Sequence, residues 1–343
     1  MQRSAALVFL LTVFACSRTP REPETRETAL NAEPAERPSS SNTAPPSVAA
    51  SVLSAPAETA EQPFRFPGAE RVVALGDLHG DLASTREALR LAGAVDDEDR
   101  WIGGKLVLVQ VGDQLDRGDD EPEILELLER LAADATKSGG ALHVLNGNHE
   151  VMNVAGDLRY VTEDGFRDYA ATAVPTGKNL PSGVQAAARG RAAAFLPGSP
   201  IARKLALRNT IAIVGDTLFA HAGVLPKHVR YGIGRINDEV RRFLRGESAA
   251  LPEIAGGEEA PIWTRAYGGP APATETCREL EAVLASLAVK RLVVGHTVQK
   301  SGITPACNDR VFRVDVGLSD YYGKNATQAL EIRATGVKVL ASR

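Results

Sequence analysis

The chain has 343 residues and a formal net charge of −4; 44% of the residues are hydrophobic and 24% are charged. This length and composition are those of a globular protein with one large domain or two small ones. The slightly acidic balance, without a long basic run, argues against a nucleic-acid-binding surface. The three cysteines, Cys16, Cys277 and Cys307, are too few for a disulfide-dense scaffold or a cysteine-rich metal site.

The first 16 residues have the pattern of an export signal. Arg3 supplies a positive charge, and the uncharged, mostly apolar stretch at residues 5–15 is too short to span a bilayer. Residues 13–16 (VFAC) resemble the lipobox of bacterial lipoproteins, although Phe14 stands where a small residue is usual. We therefore expect a signal peptide or lipobox at residues 1–16, and a protein exported to the periplasm or cell envelope with Cys16 as its lipid anchor. Plain cleavage near Ala15 or an uncleaved anchor are the alternatives.

Residues 17–63 are rich in Pro, Ser, Thr, Ala and Glu, and large apolar residues are nearly absent before Val52 and Leu53. Such a segment buries too little apolar surface to offset the entropy lost on ordering. We predict a disordered tether here, followed by one folded domain over residues 64–343.

Short apolar runs and amphipathic stretches alternate at the start of the folded part. Strands are predicted at residues 72–75, 106–111 and 142–145, and helices at 82–91 and 123–133. Further strands are predicted at 211–214, 218–220, 292–294, 311–316, 330–332 and 337–340, with fewer helices between them. This order indicates an α/β fold with two sheets face to face and helices outside, a four-layer αββα sandwich. Residues 151–208 contain no clear strand and are predicted to form a small helical cap over the strand ends.

Polar motifs follow five of these strands. They read GDLHG at 76–80, GDQLDRG at 112–118, NGNHE at 146–150, HAG at 221–223 and GHT at 295–297. The carboxyl ends of parallel strands are where α/β folds place their sites. The first three motifs recur at intervals of about 35 residues, the length of one βαβ unit, so they should lie side by side on one sheet edge.

The side chains in these motifs are typical metal ligands. Carboxylate, amide and imidazole groups are offered by Asp77, His79, Asp113, Asn148, His221 and His296. Such a mixed set suits first-row divalent metals, with Mn²⁺ expected and Fe or Zn as alternatives. Six ligands are too many for one open catalytic ion and suit two ions that share a carboxylate, about 3.5–4 Å apart.

The histidines are concentrated in the motifs. Four of the six histidines lie there, and the other two, His143 and His228, are predicted to be a core strand residue and a surface residue. A single Asp-Gly turn or histidine is usually structural, but five such motifs in order are not expected by chance.

The ordered motifs resemble those of the PPP-type metallophosphoesterases in the calcineurin-like superfamily, which includes Ser/Thr protein phosphatases and diadenosine tetraphosphatases. Over about residues 71–334 the chain is most similar to the Shewanella-like protein phosphatases. The further similarities are NHEVMN at 148–153, PIWTR at 261–265, VGHT at 294–297 and RVDVG at 313–317.

The resemblance implies a metal site and a dinuclear mechanism. One ion would be held by Asp77, His79 and Asp113, and the second by Asp113, Asn148, His221 and His296. In the family, a hydroxide that bridges the two ions attacks the phosphorus.

The resemblance also implies roles beyond the metal ligands. His149 would protonate the leaving oxygen with Asp116 orienting it. Arg117 and Arg265, together with Asn148, would contact the phosphoryl oxygens. Glu150 is expected to be structural. The eukaryotic enzymes of the family carry a late active-site tyrosine in a loop motif that is not found in this sequence, and neither Tyr321 nor Tyr322 is assigned that role.

A thiol mechanism is a competing interpretation of the cysteines. Cys307 and Arg313 match the minimal Cys-x5-Arg pattern of tyrosine phosphatases, but the intervening residues lead into an alternating strand and form no phosphate cradle. In an exported protein we expect a Cys277–Cys307 disulfide instead. No P-loop motif is present, which argues against a kinase or ATPase of that class.

Three functions remain open. The first is a phosphomonoesterase acting on Ser/Thr or Tyr phosphoproteins, with scavenging of small phosphoesters as a variant. The second is a nucleotide or diadenosine polyphosphate hydrolase on the same scaffold. The third, a binding module with an inactive site, is disfavoured because such a module needs no leaving-group acid. Nucleic acid is not an expected partner, and contact with a membrane is expected only through the N-terminal signal or lipid anchor.

Overall fold

The computed structural model describes residues 62–323 and 325–342. The predicted signal and nearly all of the predicted tether lie outside these residues, so both remain predictions. Within residues 62–323 and 325–342, no helix combines the length and apolar character needed to cross a membrane.

Two sheets form the centre of the fold. Their strands are β1 (Arg65–Phe66), β2 (Val72–Leu75), β3 (Val107–Gln110), β4 (Ala141–Val144), β5 (Ile211–Val214), β6 (Thr217–Ala220), β7 (Arg291–Val294), β8 (Thr304–Ala306), β9 (Val311–Arg313), β10 (Gln328–Arg333) and β11 (Gly336–Ala341). The five-stranded sheet has the order β11-β10-β2-β3-β4, and the six-stranded sheet has the order β1-β5-β6-β7-β9-β8. β2, β3 and β4 are parallel, as are β6, β7 and β9.

Helices surround the sheets. They are α1 (Leu82–Leu91), α2 (Glu121–Lys137), α3 (Asn148–Ala155), α4 (Glu163–Arg167), α5 (Arg189–Ala194), α6 (Pro200–Leu205), α7 (Pro226–Tyr231), α8 (Ile233–Leu244), α9 (Glu253–Gly256) and α10 (Thr274–Leu287), with 3-10 turns at Ala186–Ala188 and Asp320–Tyr322. α1 packs on β10 and α2 on β4.

The strand side chains explain the layering. Along β5, Ala212 and Val214 join the apolar core between the two sheets, whereas Ile211 and Ile213 join the core between the six-stranded sheet and its helices. Successive side chains of a strand point to opposite faces, and here both faces are covered. The αββα sandwich expected from the sequence is therefore confirmed.

Several local expectations are corrected by the structure. The second half of the chain is not poor in helices, because α7, α8, α9 and α10 all lie between β6 and β7. The strand predicted at 311–316 ends at Arg313. Beyond it the backbone passes Gly76 so closely that a β-carbon there would lie 2.3 Å from the Val314 carbonyl oxygen, so only glycine fits.

The predicted cap region contains helices and coil. Between residues 151 and 208 the structure has the end of α3, the short helices α4, α5 and α6, and one 3-10 turn. The expected Cys277–Cys307 disulfide is present and joins α10 to the turn after β8. Cys307 is therefore not a free nucleophile, and the thiol mechanism is excluded.

Candidate active site

The predicted site residues lie where parallel strands end. Asp77 and His79 follow β2, Asp113 follows β3, and His221 and His296 follow β6 and β7 of the other sheet. Asn148 opens α3 after β4. Because β2, β3 and β4 are parallel, as are β6 and β7, these carboxyl ends meet at one edge of each sheet. Asn148 Oδ1 lies 2.9 Å from His221 Nε2, so the two edges lie together.

The backbone at these ends is unusual. Five predicted site residues adopt positive φ angles, namely His79 (47°), Asp113 (58°), Asp116 (67°), Arg117 (69°) and His296 (66°). Residues other than glycine rarely adopt this left-handed conformation, and such strain concentrates at functional sites. Gly147 allows the backbone before α3 to approach Asp113 closely, since a β-carbon on Gly147 would lie 2.1 Å from Asp113 Oδ1.

Four acceptor atoms converge at one point of this edge. Asn148 Oδ1 lies 2.9 Å from both His221 Nε2 and His296 Nδ1, and His221 Nε2 lies 3.2 Å from Asp113 Oδ2. His221 Nδ1 donates to the Val111 carbonyl oxygen at 3.0 Å, which leaves Nε2 without a proton in the neutral ring. Oxygen and nitrogen lone pairs thus face one another at hydrogen-bond distance, an arrangement that a cation between them would stabilise.

A second cluster shares Asp113. His79 Nε2 lies 3.9 Å from Asp77 Oδ2 and 3.9 Å from Asp113 Oδ2. His79 Nδ1 donates to the Leu115 carbonyl oxygen at 3.0 Å, so its Nε2 faces the carboxylates. The residues present fit two divalent cations: Asp77, His79 and Asp113 could hold one, and Asp113, Asn148, His221 and His296 could hold the other.

Burial and neighbouring charges shift the pKa values of the carboxyl groups in the clusters, and the direction differs between residues. Burial, reinforced by Asp315 and Asp113, raises the pKa of Asp77 well above its usual value. Burial also raises the pKa of Asp315 to about 6. For Asp113 burial acts in the same direction, but the neighbouring histidines, His221 first, hold its pKa well below the usual value.

Burial keeps the imidazoles of His79 and His296 neutral. It lowers the pKa of His79 well below its usual value, and together with His221 it lowers the pKa of His296 to about 3. A neutral imidazole is the form that binds a metal ion.

His149 and Asp116 form a buried pair beside the ligand clusters. His149 Nδ1 donates to Asp116 Oδ2 at 2.5 Å, and the backbone N–H of His149 donates to Asp113 Oδ1 at 3.0 Å. Burial alone would lower the pKa of His149, but the charges of Asp113 and Asp116 outweigh it, and the pKa is raised. The carboxylate therefore orients the ring and favours its protonated form.

Geometry alone also permits His149 as a ligand. A ring nitrogen of His149, a ring nitrogen of His79 and a carboxylate oxygen of Asp113 all lie within 4.8 Å of one another. His149 Nε2 is 3.7 Å from Asp113 Oδ2. The bond from Nδ1 to Asp116 distinguishes His149 from His79 and His221, whose Nδ1 atoms donate to main-chain carbonyls.

The two predicted phosphate-binding arginines differ in setting. Arg117 Nη1 lies 2.5 Å from His79 Nε2, in the cluster with Asp77, and contacts the Tyr322 hydroxyl. Its guanidinium lies 5.0 Å from the ring centre of Tyr160. Arg265 is exposed and donates to Thr297 Oγ1 at 3.0 Å.

Glu150 has the structural position expected for it. Its carboxylate accepts hydrogen bonds from the backbone N–H groups of Asp113 and Gln114, at 2.9 and 2.8 Å, and from Gly147 at 2.7 Å. It thereby ties the loop after β3 to the start of α3.

Several residues at the site were not assigned from the sequence. Tyr322, left unassigned together with Tyr321, contacts Arg117, and its ring centre lies 5.7 Å from that of His79. Trp263 belongs to a motif noted above, and its ring lies edge-on to His296 at 5.9 Å. Tyr160 carries no sequence signal, because it lies in coil within the predicted cap.

The predictions for the two histidines outside the motifs have different outcomes. His143 lies on β4, half-buried against Phe66. His228 is not a surface residue: it is fully buried at the start of α7, and its Nδ1 accepts from the Leu225 N–H at 2.9 Å. Burial lowers its pKa to about 4, so the ring is kept neutral as that acceptor.

An αββα sandwich with aspartate, asparagine and histidine clusters at its strand ends defines a metallophosphoesterase. The family model described as calcineurin-like phosphoesterase matches residues 70–300, and the chain belongs to this family. The family is metal-dependent, in agreement with the His and Asp clusters.

Similar proteins narrow the class. The chain is 39% identical over 309 residues to Shewanella-like protein phosphatase 2 of Arabidopsis thaliana, covering 81% of this chain and 79% of that protein. It is 28% identical to Shewanella-like protein phosphatase 1 of Plasmodium berghei, covering 79% of this chain and 74% of that protein. A solved structure of a cold-active protein tyrosine phosphatase matches with a TM-score of 0.68 and 25% identity, covering 81% of this chain and 78% of that chain. The expected resemblance is confirmed, and the chain is an enzyme, a phosphatase of the Shewanella-like type.

Proposed function

We propose that this phosphatase hydrolyses phosphomonoesters of phosphorylated proteins at a dinuclear metal site. The observation that carries the proposal is the convergence of Asp113 Oδ2, Asn148 Oδ1, His221 Nε2 and His296 Nδ1 at 2.9–3.2 Å. When bound, two divalent cations supply Lewis-acid stabilisation of phosphoryl charge and activation of water. Mn²⁺ is the proposed metal, with Fe or Zn as alternatives.

Arg117 and Arg265 are the proposed clamps for the phosphoryl oxygens, assisted by Asn148. A guanidinium offers parallel donors that match two phosphoryl oxygens. Arg117 lies beside His79 and contacts the Tyr322 hydroxyl, so its guanidinium is already next to the proposed metal site and can turn to a phosphoryl group when a cation takes His79 Nε2. Arg265 is exposed, so more ordering must accompany its contact with the substrate.

His149 is the proposed general acid. Its Nδ1 is occupied by Asp116, so the protonated Nε2 is free to give its proton to the leaving oxygen. Asp116 fixes the ring and stabilises the imidazolium before transfer. A leaving alcohol or phenol then departs without a full negative charge.

A groove beside the site supports a protein substrate. A cavity of about 600 Å³ is lined by residues of α3, the coil of the cap and α8, and by Trp263, whose ring lies next to that of His296. Its apolar lining includes Val151, Leu180, Leu196, Phe243 and Leu251. Such a groove can hold residues that flank a phosphorylated side chain, and the relatives named above are protein phosphatases.

The test is hydrolysis by the purified chain loaded with Mn²⁺. The substrates are p-nitrophenyl phosphate, bis-p-nitrophenyl phosphate, phosphotyrosyl and phosphoseryl peptides, and diadenosine tetraphosphate. We expect cleavage of monoesters and phosphopeptides, with activity lowered by about 10³-fold in Asp113→Asn because several kcal/mol of charge stabilisation are lost. Asp216→Asn, which removes a carboxylate paired with Lys290 and Arg291, should keep full activity.

Two outcomes would contradict the proposal. Preferential turnover of diadenosine tetraphosphate over phosphopeptides would identify a dinucleotide hydrolase. Preferential diester cleavage would identify a phosphodiesterase.

We also propose that the chain is exported and anchored through Cys16. The signal pattern in residues 1–16 motivates this proposal, and the Cys277–Cys307 disulfide supports it because disulfides persist in oxidising compartments. Expression in a bacterium should yield a membrane-bound chain outside the cytoplasm, released by Cys16→Ala. A full-length chain in the cytosolic fraction would overturn this proposal.

A further inference from the structure

Arg191, on the cap helix α5, is a fully buried cation. Its guanidinium lies between the aromatic rings of Phe195 and Tyr169, 4.9 and 5.4 Å from their centres. A buried charge is costly unless carboxylates and hydrogen bonds compensate it. The identity of those partners therefore indicates what Arg191 does.

The partners of Arg191 lie at the acid pair. Its Nη1 and Nη2 bind both carboxylate oxygens of Glu121, at the start of α2, with Nη2 at 2.9 Å from Oε1. Nη2 also lies 3.3 Å from Asp116 Oδ1. Its Nε donates to Asn153 Oδ1 at 2.8 Å. One side chain from the cap thus reaches the carboxylate that orients His149 and two groups around it.

The contacts divide the two oxygens of Asp116 between different tasks. Oδ1 accepts from Asn153 Nδ2 at 2.9 Å and faces Arg191, while Oδ2 accepts from His149 Nδ1 at 2.5 Å. The Asp116 backbone N–H donates to Glu121, which Arg191 also holds. The carboxylate is fixed at its backbone and at one oxygen, so it cannot rotate away from the imidazole.

We infer that Arg191 is a positioning residue for the leaving-group acid, and that it couples the packing of cap helix α5 to the orientation of the Asp116–His149 pair. The inference rests on the proposed role of His149 and deepens it. A guanidinium that only neutralised Glu121 would leave the acid step unchanged when altered. If the guanidinium aligns Asp116, altering it should slow cleavage most for substrates with poor leaving groups, because these substrates depend most on proton donation by His149.

The test compares two monoesters that differ in their need for the acid. Phenyl phosphate has a poorer leaving group than p-nitrophenyl phosphate, so it depends more on protonation. In Arg191→Met we expect kcat for phenyl phosphate to fall about 10–100-fold further than kcat for p-nitrophenyl phosphate, with little change in KM. The ratio of the two rates is independent of the fraction of protein that is folded. Arg191→Lys keeps the charge without the fork and should recover part of the ratio.

Phe195→Leu provides the matched control. Phe195 is equally buried and packs on Arg191, and its hydrocarbon ring offers Asp116 no hydrogen bond, so this variant should lower the melting temperature and leave the rate ratio at the wild-type value.

A second readout needs neither metal nor turnover. In the proton NMR spectrum of the metal-free protein, the His149 Nδ1–H bonded to Asp116 should give a far-downfield signal, identified by its loss in Asp116→Asn. We expect this signal to be lost or shifted in Arg191→Met, retained at reduced intensity in Arg191→Lys, and unchanged in Phe195→Leu.

The results separate this inference from the proposed function. Equal rate losses for both substrates with an unchanged proton signal would show that Arg191 is structural, and the inference would be wrong. If the wild-type enzyme hydrolysed neither monoester, the proposed function would fail, and the proton signal alone would decide the positioning role. Should Arg191→Met not fold, Arg191→Lys must show the intermediate ratio, and a wild-type ratio there would overturn the inference.

Discussion

Two sides of the site, the ligand clusters and the Asp116–His149 pair, are held by different parts of the chain. The imidazoles of His79 and His221, the proposed metal ligands, are oriented by main-chain carbonyl groups of Leu115 and Val111, in the loop and strand end next to them. The Asp116–His149 pair, the proposed acid, is oriented by side chains, chiefly Asn153 of α3 and Arg191 of α5. The carbonyl groups that orient His79 and His221 belong to the sheet edge itself. The position of Arg191, by contrast, depends on how the cap packs.

This difference predicts that substitutions on the two sides have different effects. Substitutions at the sheet edge should remove both metal binding and activity, because the proposed ligands and their supports lie on the same stretch of backbone. Substitutions on the cap side should leave the metal bound and impair proton donation by His149.

The largest expected effect is that of His149→Gln. We expect kcat for phenyl phosphate to fall about 10²–10⁴-fold, because the leaving oxygen loses its proton donor. The metal content should remain at the wild-type value, measured by inductively coupled plasma mass spectrometry on the same preparations. Loss of one metal equivalent would instead make His149 a ligand and erase the distinction between the two sides.

Substitution of the arginines should have a smaller effect. Arg117→Ala should lower kcat/KM by about 10–100-fold, the loss of a charge-assisted hydrogen bond worth about 1.5–3 kcal/mol. Arg265→Ala should cost less than about 10-fold, because an exposed side chain loses more entropy on contact and is screened by solvent. Steady-state kinetics with a phosphopeptide would check the order, and a larger effect for Arg265 would reverse our view of which arginine is pre-positioned.

The smallest effect on activity is expected for the disulfide. The double variant Cys277→Ser, Cys307→Ser opens a loop of 30 residues and should lower the free energy of unfolding by about 3–4 kcal/mol. The value of kcat should not change at temperatures where the variant is folded. The bond joins α10 to the turn after β8, and neither segment contains a proposed site residue. Urea unfolding followed by circular dichroism measures the first quantity. A changed kcat in a fully folded variant would show that this region communicates with the site.

The ligand side could be read from the sequence because its information is local. Each ligand lies within a few residues of an apolar strand, and glycines such as Gly147 mark the close backbone approach. Parallel pairing of β2, β3 and β4 then brings the motifs together without any knowledge of the loops.

The support of the acid pair could not be read in that way. Arg191 lies in an alanine-rich segment with no motif, and it meets Glu121 and Asp116 through long-range packing of the cap. Tyr322 was equally unassigned, because only the folded chain brings it to Arg117.

Some missed features did carry a signal. In α8, Ile233, Ile236, Val240 and Phe243 follow a helical period, and all four are buried. In α10, the same holds for Leu280, Val283, Leu284 and Leu287. Charged residues stand between these apolar positions in the sequence, as is normal for a helix with one solvated face, so no continuous apolar run marks either helix.

The central claim is that two cations share Asp113. Crystals of the protein soaked with Mn²⁺ and measured for anomalous scattering at the manganese edge test this claim most directly. We expect two peaks, one among Asp77, His79 and Asp113 and the other among Asp113, Asn148, His221 and His296. A single peak, or a peak ligated by His149 in place of Asp77, would contradict it.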